Sequence, residues 1–334
     1  MTGRALAIAL ALLAYTSPAC GRGESRASGP GEGVPQPRNE KTPSPGPAGD
    51  PGRIRSGPSL ASPASGRGGL FTPWRANLTE NELSFEIQRL DADTYVIRQS
   101  LATSPAAPFL YLLFGNQRAL LLDTGTGAAP LRPVIDAIMA THGTPGLPLI
   151  VAHSHSHADH VGGDTELCQR PQTQIIGHTP AAVAAAFAIP DWPTGTGQID
   201  LGNRHLTILA TPGHSTTDIM VHDPRTRLLL TGDTLTPGLL TVPMTEFATW
   251  RASITRAAAH IRRHRIRALL GAHIGLRRTP GEAYPRDARR HPDEHALDLA
   301  PSNQFELQAA AMAMTGEPVR ETHADFIIVP GWPG

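Results

Sequence analysis

The segment His153-Ser154-His155-Ser156-His157-Ala158-Asp159-His160 places four histidines and an aspartate within eight residues, directly after the apolar run 147–152. Side chains this polar do not fill a core, so the run is expected where a strand gives way to a loop. Imidazole nitrogen and carboxylate oxygen are the ligands that zinc takes, at about 2.0–2.2 Å. In extended backbone His155 and His157 project to the same side, while Asp159 and His160 can turn toward a neighbouring position. One short loop can therefore serve two ions. Gly162 and Gly163 then permit a tight turn and a close helix start.

Three further candidates each follow an apolar stretch. These are His214 in Thr211-Pro212-Gly213-His214, Asp233 in Leu230-Thr231-Gly232-Asp233, and His273 in Leu270-Gly271-Ala272-His273. Polar ligands at strand ends are how an α/β scaffold gathers distant residues into one site. These distant partners argue against a tract that only sequesters metal. His153 has no ligand role in this reading and is taken as structural. His178, His205, His222, His260 and His264 read as surface or otherwise satisfied histidines. The segment His291-Pro292-Asp293-Glu294-His295 reads as a helix N-terminus with acidic residues in its first turn. Thr236, Thr241 and Tyr284 are candidate contacts around the pocket.

His-x-His-x-Asp-His followed in order by Pro-Gly-His, Gly-Asp and a late Gly-x-His resembles the signature of the metallo-β-lactamase fold superfamily. The similarity runs from about residue 83 to 273 and includes Leu121-Leu122-Asp123-Thr124-Gly125. The resemblance implies an α/β fold, an αββα sandwich of two mixed β-sheets flanked by helices. It implies that His155, His157 and His214 hold one metal and that Asp159, His160 and His273 hold a second. Asp233 would bridge both, and Asp123 would be a buried structural aspartate. Two zinc ions per chain are the implied cofactor, with iron as the alternative.

The implied activity is hydrolysis of an ester, thioester, lactone or amide carbonyl in a small-molecule substrate. Zinc lowers the pKa of a bound water to roughly 7, which supplies the nucleophile. With one metal bound, Asp159 would be released to act as a catalytic general base. A bridging aspartate resembles glyoxalase II-like thioesterases and lactonases more than β-lactamases, which commonly carry cysteine or serine there. β-Lactamase activity, a mononuclear iron persulfide dioxygenase-like oxidation, and a non-catalytic zinc-binding module are the other readings.

The two ends of the chain differ in composition. Arg4 and the apolar stretch 5–15 form an export signal too short to span a bilayer as a permanent helix. Ser17-Pro18-Ala19 before Cys20 resembles a lipoprotein signal, which would anchor the chain to a membrane through Cys20 in the periplasm or cell envelope. Simple cleavage after Ala19 is the alternative. Residues 21–70 are Gly-, Pro- and Ser-rich and are expected to be a disordered tether, leaving 71–334 as the catalytic domain. If Cys20 is lipidated, Cys168, the second of two cysteines, is expected to be a buried lone thiol; a disulfide joining the tail to the domain is the alternative. Acidic and basic residues balance at 29 each, so nothing points to nucleic acid. The pattern gives no oligomeric state.

Strands are expected at 83–90, 94–98, 109–114, 119–122, 147–152, 175–176, 206–209, 218–221, 227–230 and 268–270. Helices are expected at 130–141, 181–187, 246–263 and 294–314. Together they suggest two sheets packed face to face between helical layers.

Overall fold

The computed structural model describes residues 54–56, 69–75 and 82–331. The export segment, Cys20 and most of the expected tether lie outside the described residues. Within that tether stretch, Ile54–Ser56 forms a short strand, β1, paired in parallel with β2 (Phe85–Asp91). Backbone hydrogen bonds make such an edge strand without a hydrophobic pattern, so composition did not mark it.

The first sheet continues through β3 (Thr94–Gln99), β4 (Phe109–Phe114) and β5 (Ala119–Leu122) as an antiparallel meander. Helix α1 (Arg132–Thr141) crosses to β6 (Leu149–Ala152), which runs parallel to β5. Pro133 lies in the first turn of α1, where its missing N–H costs nothing. Two single-turn helices, α2 (Ala158–Val161) and α3 (Asp164–Leu167), lead to β7 (Thr173–Ile175), the last of seven strands.

Helix α4 (Pro180–Ala186) opens the second half, capped by the Thr179 side chain. The second sheet holds β8 (Thr196–Asp200), β9 (His205–Ala210), β10 (Ile219–Asp223) and β11 (Leu228–Gly232). The strand β12 (Leu239–Pro243) and helix α5 (Phe247–Arg263) follow, and then β13 (Ala268–Gly271), β14 (Asp298–Leu299) and α6 (Pro301–Ala313). β13 and β14 complete the six-stranded second sheet. Finally β15 (Glu321–Thr322) and β16 (Ile327–Gly331) join β12 in a third sheet of three strands.

Strand alternation builds the layers. Phe109, Tyr111 and Leu113 of β4 join Ile219 and Val221 of β10 in a core between the two large sheets. Leu110, Leu112 and Phe114 face the other way, onto Ile135 and Ile138 of α1. Met220 and Leu229 likewise face outward onto Trp250 and Ile254 of α5. Each such side chain, fully buried, contributes about 1.5–3 kcal/mol. The result is the expected αββα sandwich of two mixed sheets between helical layers.

Three local expectations need correction. The last helix begins at Pro301 and not near 294, because Pro301 sets the first turn and Asn303 Oδ1 accepts from the Ala300 N–H at 2.9 Å. Residues 291–295 are therefore not a helix start. The 237–245 segment, where no strand is expected, contains β12; its partner β16 lies 88 residues later, with Leu239 opposite Ile327. Cys168 is disulfide-bonded and not a lone thiol.

Candidate metal centre

Local backbone at the end of β5 and β6 sets the site. Asp123 directly follows β5 and adopts a left-handed φ of 69°, a strained conformation for a side chain of its kind. What holds it is a set of hydrogen bonds into the loop after β6. Asp123 Oδ1 accepts from the Ser154 N–H at 2.6 Å and Oδ2 from the Ser154 hydroxyl at 2.8 Å. Oδ2 also lies 3.0 Å from His160 Nδ1. The histidine-rich loop is thus tied to the neighbouring strand end before any ligand is counted.

Asp164, opening α3, ties the loop from the other side. Its two oxygens lie 2.9 Å from His153 Nε2 and 2.8 Å from His178 Nε2, and Thr124 donates to it at 2.9 Å. Burial pushes the Asp164 carboxyl up, but the hydrogen bonds from His153 and His178 outweigh it and hold the group at about 2. His153 is structural, as expected. Asp164 is not among the residues singled out from the sequence, and His178 is a satisfied histidine through its pair with Asp164.

All seven sequence-chosen residues converge. His155 Nε2 is 2.9 Å from His157 Nδ1, which is 3.1 Å from His214 Nε2. On the other side, His273 Nε2 is 3.3 Å from His160 Nε2 and 3.5 Å from Asp159 Oδ2. Asp233 stands between the two groups. Its Oδ2 is 3.6 Å from His214 Nε2, and its Oδ1 is 3.4 Å from His273 Nε2 and 3.8 Å from His160 Nε2. Ring nitrogens within reach of one another, with His155, His157 and His214 forming one trio and Asp159, His160 and His273 another, are groupings that a metal ion fits.

The ring orientations are fixed from behind. His214 Nδ1 lies 2.9 Å from the Thr241 carbonyl, and His273 Nδ1 lies 2.7 Å from the Ala106 carbonyl. Each carbonyl accepts the Nδ1 proton, which leaves Nε2 unprotonated and turned inward, the form that ligates. The Thr236 hydroxyl donates to the His273 carbonyl and accepts from its N–H at 3.1 Å. Of the expected pocket contacts, Thr236 therefore acts on the backbone of His273, and Thr241 acts on the His214 ring through its own carbonyl. Tyr284 is engaged elsewhere: its hydroxyl accepts from the Asp293 N–H, and its ring stacks on His291. Glu294 pairs with Arg98 and His291, so that segment is a structural network.

Asp218 was also missed. Its Oδ2 accepts from the backbone N–H groups of His214 and Ser215, at 2.8 and 2.6 Å. Burial raises its carboxyl to about 7 despite those donors. A carboxylate opening a buried strand four residues after a ligand was the available signal.

The electrostatics match a cation site. His155 is pushed well below its ordinary value by burial and then by His160. Burial also works against protonation of His160, yet the Asp123 and Asp233 carboxylates lift it to about 10. Burial would raise the Asp233 carboxyl, but His273, His160, His155 and His214 hold it well below the usual range. Asp233 Oδ1 is buried with no hydrogen-bond partner among the described residues. An unsatisfied buried acceptor costs about 1–3 kcal/mol, and more when charged. A metal ion would satisfy it, so the donor set fits one.

The family model for the metallo-β-lactamase superfamily matches residues 105–259, which hold six of the seven converging residues. Over that span the chain is similar to the metallo-β-lactamase superfamily. The seventh, His273, lies beyond the matched span and is brought in by β13. Among superfamily relatives, a hydroxyacylglutathione hydrolase from Anaeromyxobacter dehalogenans is 33% identical over 128 residues, 38% of this chain and 46% of that one. The acyl-coenzyme A thioesterase MBLAC2 of Gallus gallus is 24% identical over 232 residues, 58% of this chain and 81% of that one. The match spans less than half the length of the first two hydrolases, 46% and 39%. Among solved structures, a metallo-β-lactamase from Pontibacter korlensis superposes with a TM-score of 0.46 at 15% identity, covering 69% of this chain and 100% of that one.

Proposed function

We propose that the chain is a zinc-dependent hydrolase with a two-metal centre, acting on the thioester carbonyl of a small-molecule substrate. The observation that carries this reading is Asp233, whose two oxygens face different ligand trios. That is the placement a bridging carboxylate needs, and the orphaned Oδ1 supports it. The thioester preference rests on the two relatives named above, whose substrates are thioesters.

Zinc bound there supplies a Lewis acid and a water acidic enough to react near neutral pH. The chain's own residues do the rest. His155, His157 and His214 would hold one ion and Asp159, His160 and His273 the other, with Asp233 fixing their separation. Asp159 is the more open of the two carboxylates, its side chain 32% exposed against 17% for Asp233. With only one ion bound, Asp159 would be the group free to take a proton at the mouth of the site. Asp123, Asp164 and Asp218 hold the ligating loops in register, which limits reorganisation during the reaction.

The chain is further proposed to be exported, through the N-terminal signal read from the sequence. A disulfide at Cys168 supports an oxidising compartment.

The test uses the full chain purified without chelator. Zinc content is measured by plasma mass spectrometry, and thiol release is followed from a hydroxyacylglutathione and from an acyl-coenzyme A. The proposal expects at least two zinc ions per chain and a thiol release that a chelator stops and added zinc restores. One iron per chain with oxygen uptake and no thioester cleavage would overturn it.

A further inference from the structure

A second histidine cluster lies apart from the Asp233 centre. His222 is on β10, at a position that faces the same side as Met220, toward α5. His260 lies in the last turn of α5, and His264 is the residue that ends it. An i, i+4 pair projects from one helix face, the spacing by which helices present two histidines to one metal. The strand supplies the third ring.

The three rings converge. Their centroids lie 4.9 Å apart for His222 and His260, 5.1 Å for His222 and His264, and 4.1 Å for His260 and His264. One nitrogen from each falls within 4.8 Å of the others. His260 Nε2 and His222 Nδ1 are 2.9 Å apart. That matches the His155–His157 separation of 2.9 Å in the main centre. No carboxylate hydrogen-bonds to any of these rings among the described residues, unlike His153 or His178.

We propose that His222, His260 and His264 form a separate site for one divalent transition-metal ion, zinc foremost. Imidazole nitrogens are the donors such ions favour. The exposed His264 leaves the fourth position open to water. Burial, and then the neighbouring His264, lowers both His222 and His260 to about 4, so both rings are neutral and able to ligate near pH 7. Asp223 beside His222 favours a cation, while Arg263 beside His260 opposes one. The C-terminal end of the 17-residue α5 adds partial negative charge.

The site is not an extension of the main centre. Trp250 of α5 packs where a Cβ on Gly213, next to His214, would stand. His260 lies ten residues further along the helix, roughly 15 Å at 1.5 Å per residue. An ion there would clip the far end of α5 to β10.

The test compares the full wild-type chain with His264→Ala after equilibrium dialysis against micromolar zinc. The site predicts that His264→Ala holds one zinc fewer per chain while thioester turnover is unchanged. His260→Asn, at a half-buried position, should show the same loss. The difference does not depend on how many ions the Asp233 centre holds or on what that centre hydrolyses. Added zinc should also raise the unfolding midpoint of wild type more than that of His264→Ala. Equal zinc content in wild type and both variants would overturn the proposal.

Discussion

Asp123 Oδ2 lies 3.0 Å from His160 Nδ1, and this contact fixes which nitrogen of His160 faces Asp233. The ligand is oriented by a residue that itself touches no ligand atom of the proposed centre. Asp123→Asn keeps the shape but weakens the acceptor, so zinc affinity should fall about 10- to 100-fold. Competition with a chromophoric chelator measures it. Unchanged affinity would mean that the loop alone sets the ring.

Gly162 is needed for close approach and not for its backbone angles. A Cβ there would stand 2.3 Å from the Thr126 carbonyl carbon and 2.4 Å from its oxygen. Gly162→Ala should destabilise the fold by about 1–3 kcal/mol and displace α2, which carries Asp159 and His160. Gly146 has nothing within 4 Å of the same atom, so Gly146→Ala should stay within about 0.5 kcal/mol of wild type. Denaturant unfolding of both variants checks the contrast.

The Asp164 carboxyl, held at about 2 against an ordinary 3.8, gives a pH dependence with a definite sign. The unfolded chain binds this proton more readily than the folded one, so the contribution is complete above about pH 4. It is lost as pH falls toward 2. A depression of this size corresponds to about 2 kcal/mol. Unfolding of metal-free wild type and Asp164→Asn should therefore differ most near neutral pH and converge in acid. A gap independent of pH would remove the ionised carboxylate from the account.

A chain with two cysteines cannot both lipidate Cys20 and close an intramolecular disulfide at Cys168. The disulfide at Cys168 predicts no free thiol in the denatured, unreduced full chain. A thiol titration reads this directly. One free thiol, together with a lipid mass, would favour the anchor.

The ligands were legible because each sits just past an apolar strand, where a polar residue has no packing role. His155, His157, Asp159, His160, His214, Asp233 and His273 needed only pattern and order. The residues behind them were less visible. Asp164 and Asp218 act through His178 and through backbone N–H groups, partners that sequence spacing does not mark. Most sandwich strands were legible from their apolar runs. β12 was not, because Pro237, Gly238 and Pro243 punctuate it like a loop and its partner Ile327–Gly331 is remote in sequence. The helix start was misplaced because Asp293 and Glu294 resemble a first turn, whereas Glu294 is drawn into its pair with Arg98.

The central claim is that Asp233 joins two ligand trios into one metal centre. Zinc content and thioester turnover with and without Asp233→Ala test it most directly. Counted in the His264→Ala background, the account predicts close to two zinc ions with Asp233 in place, and a clear loss of both metal and turnover once Asp233→Ala is added. An Asp233→Ala chain that keeps full zinc content and full turnover would contradict it.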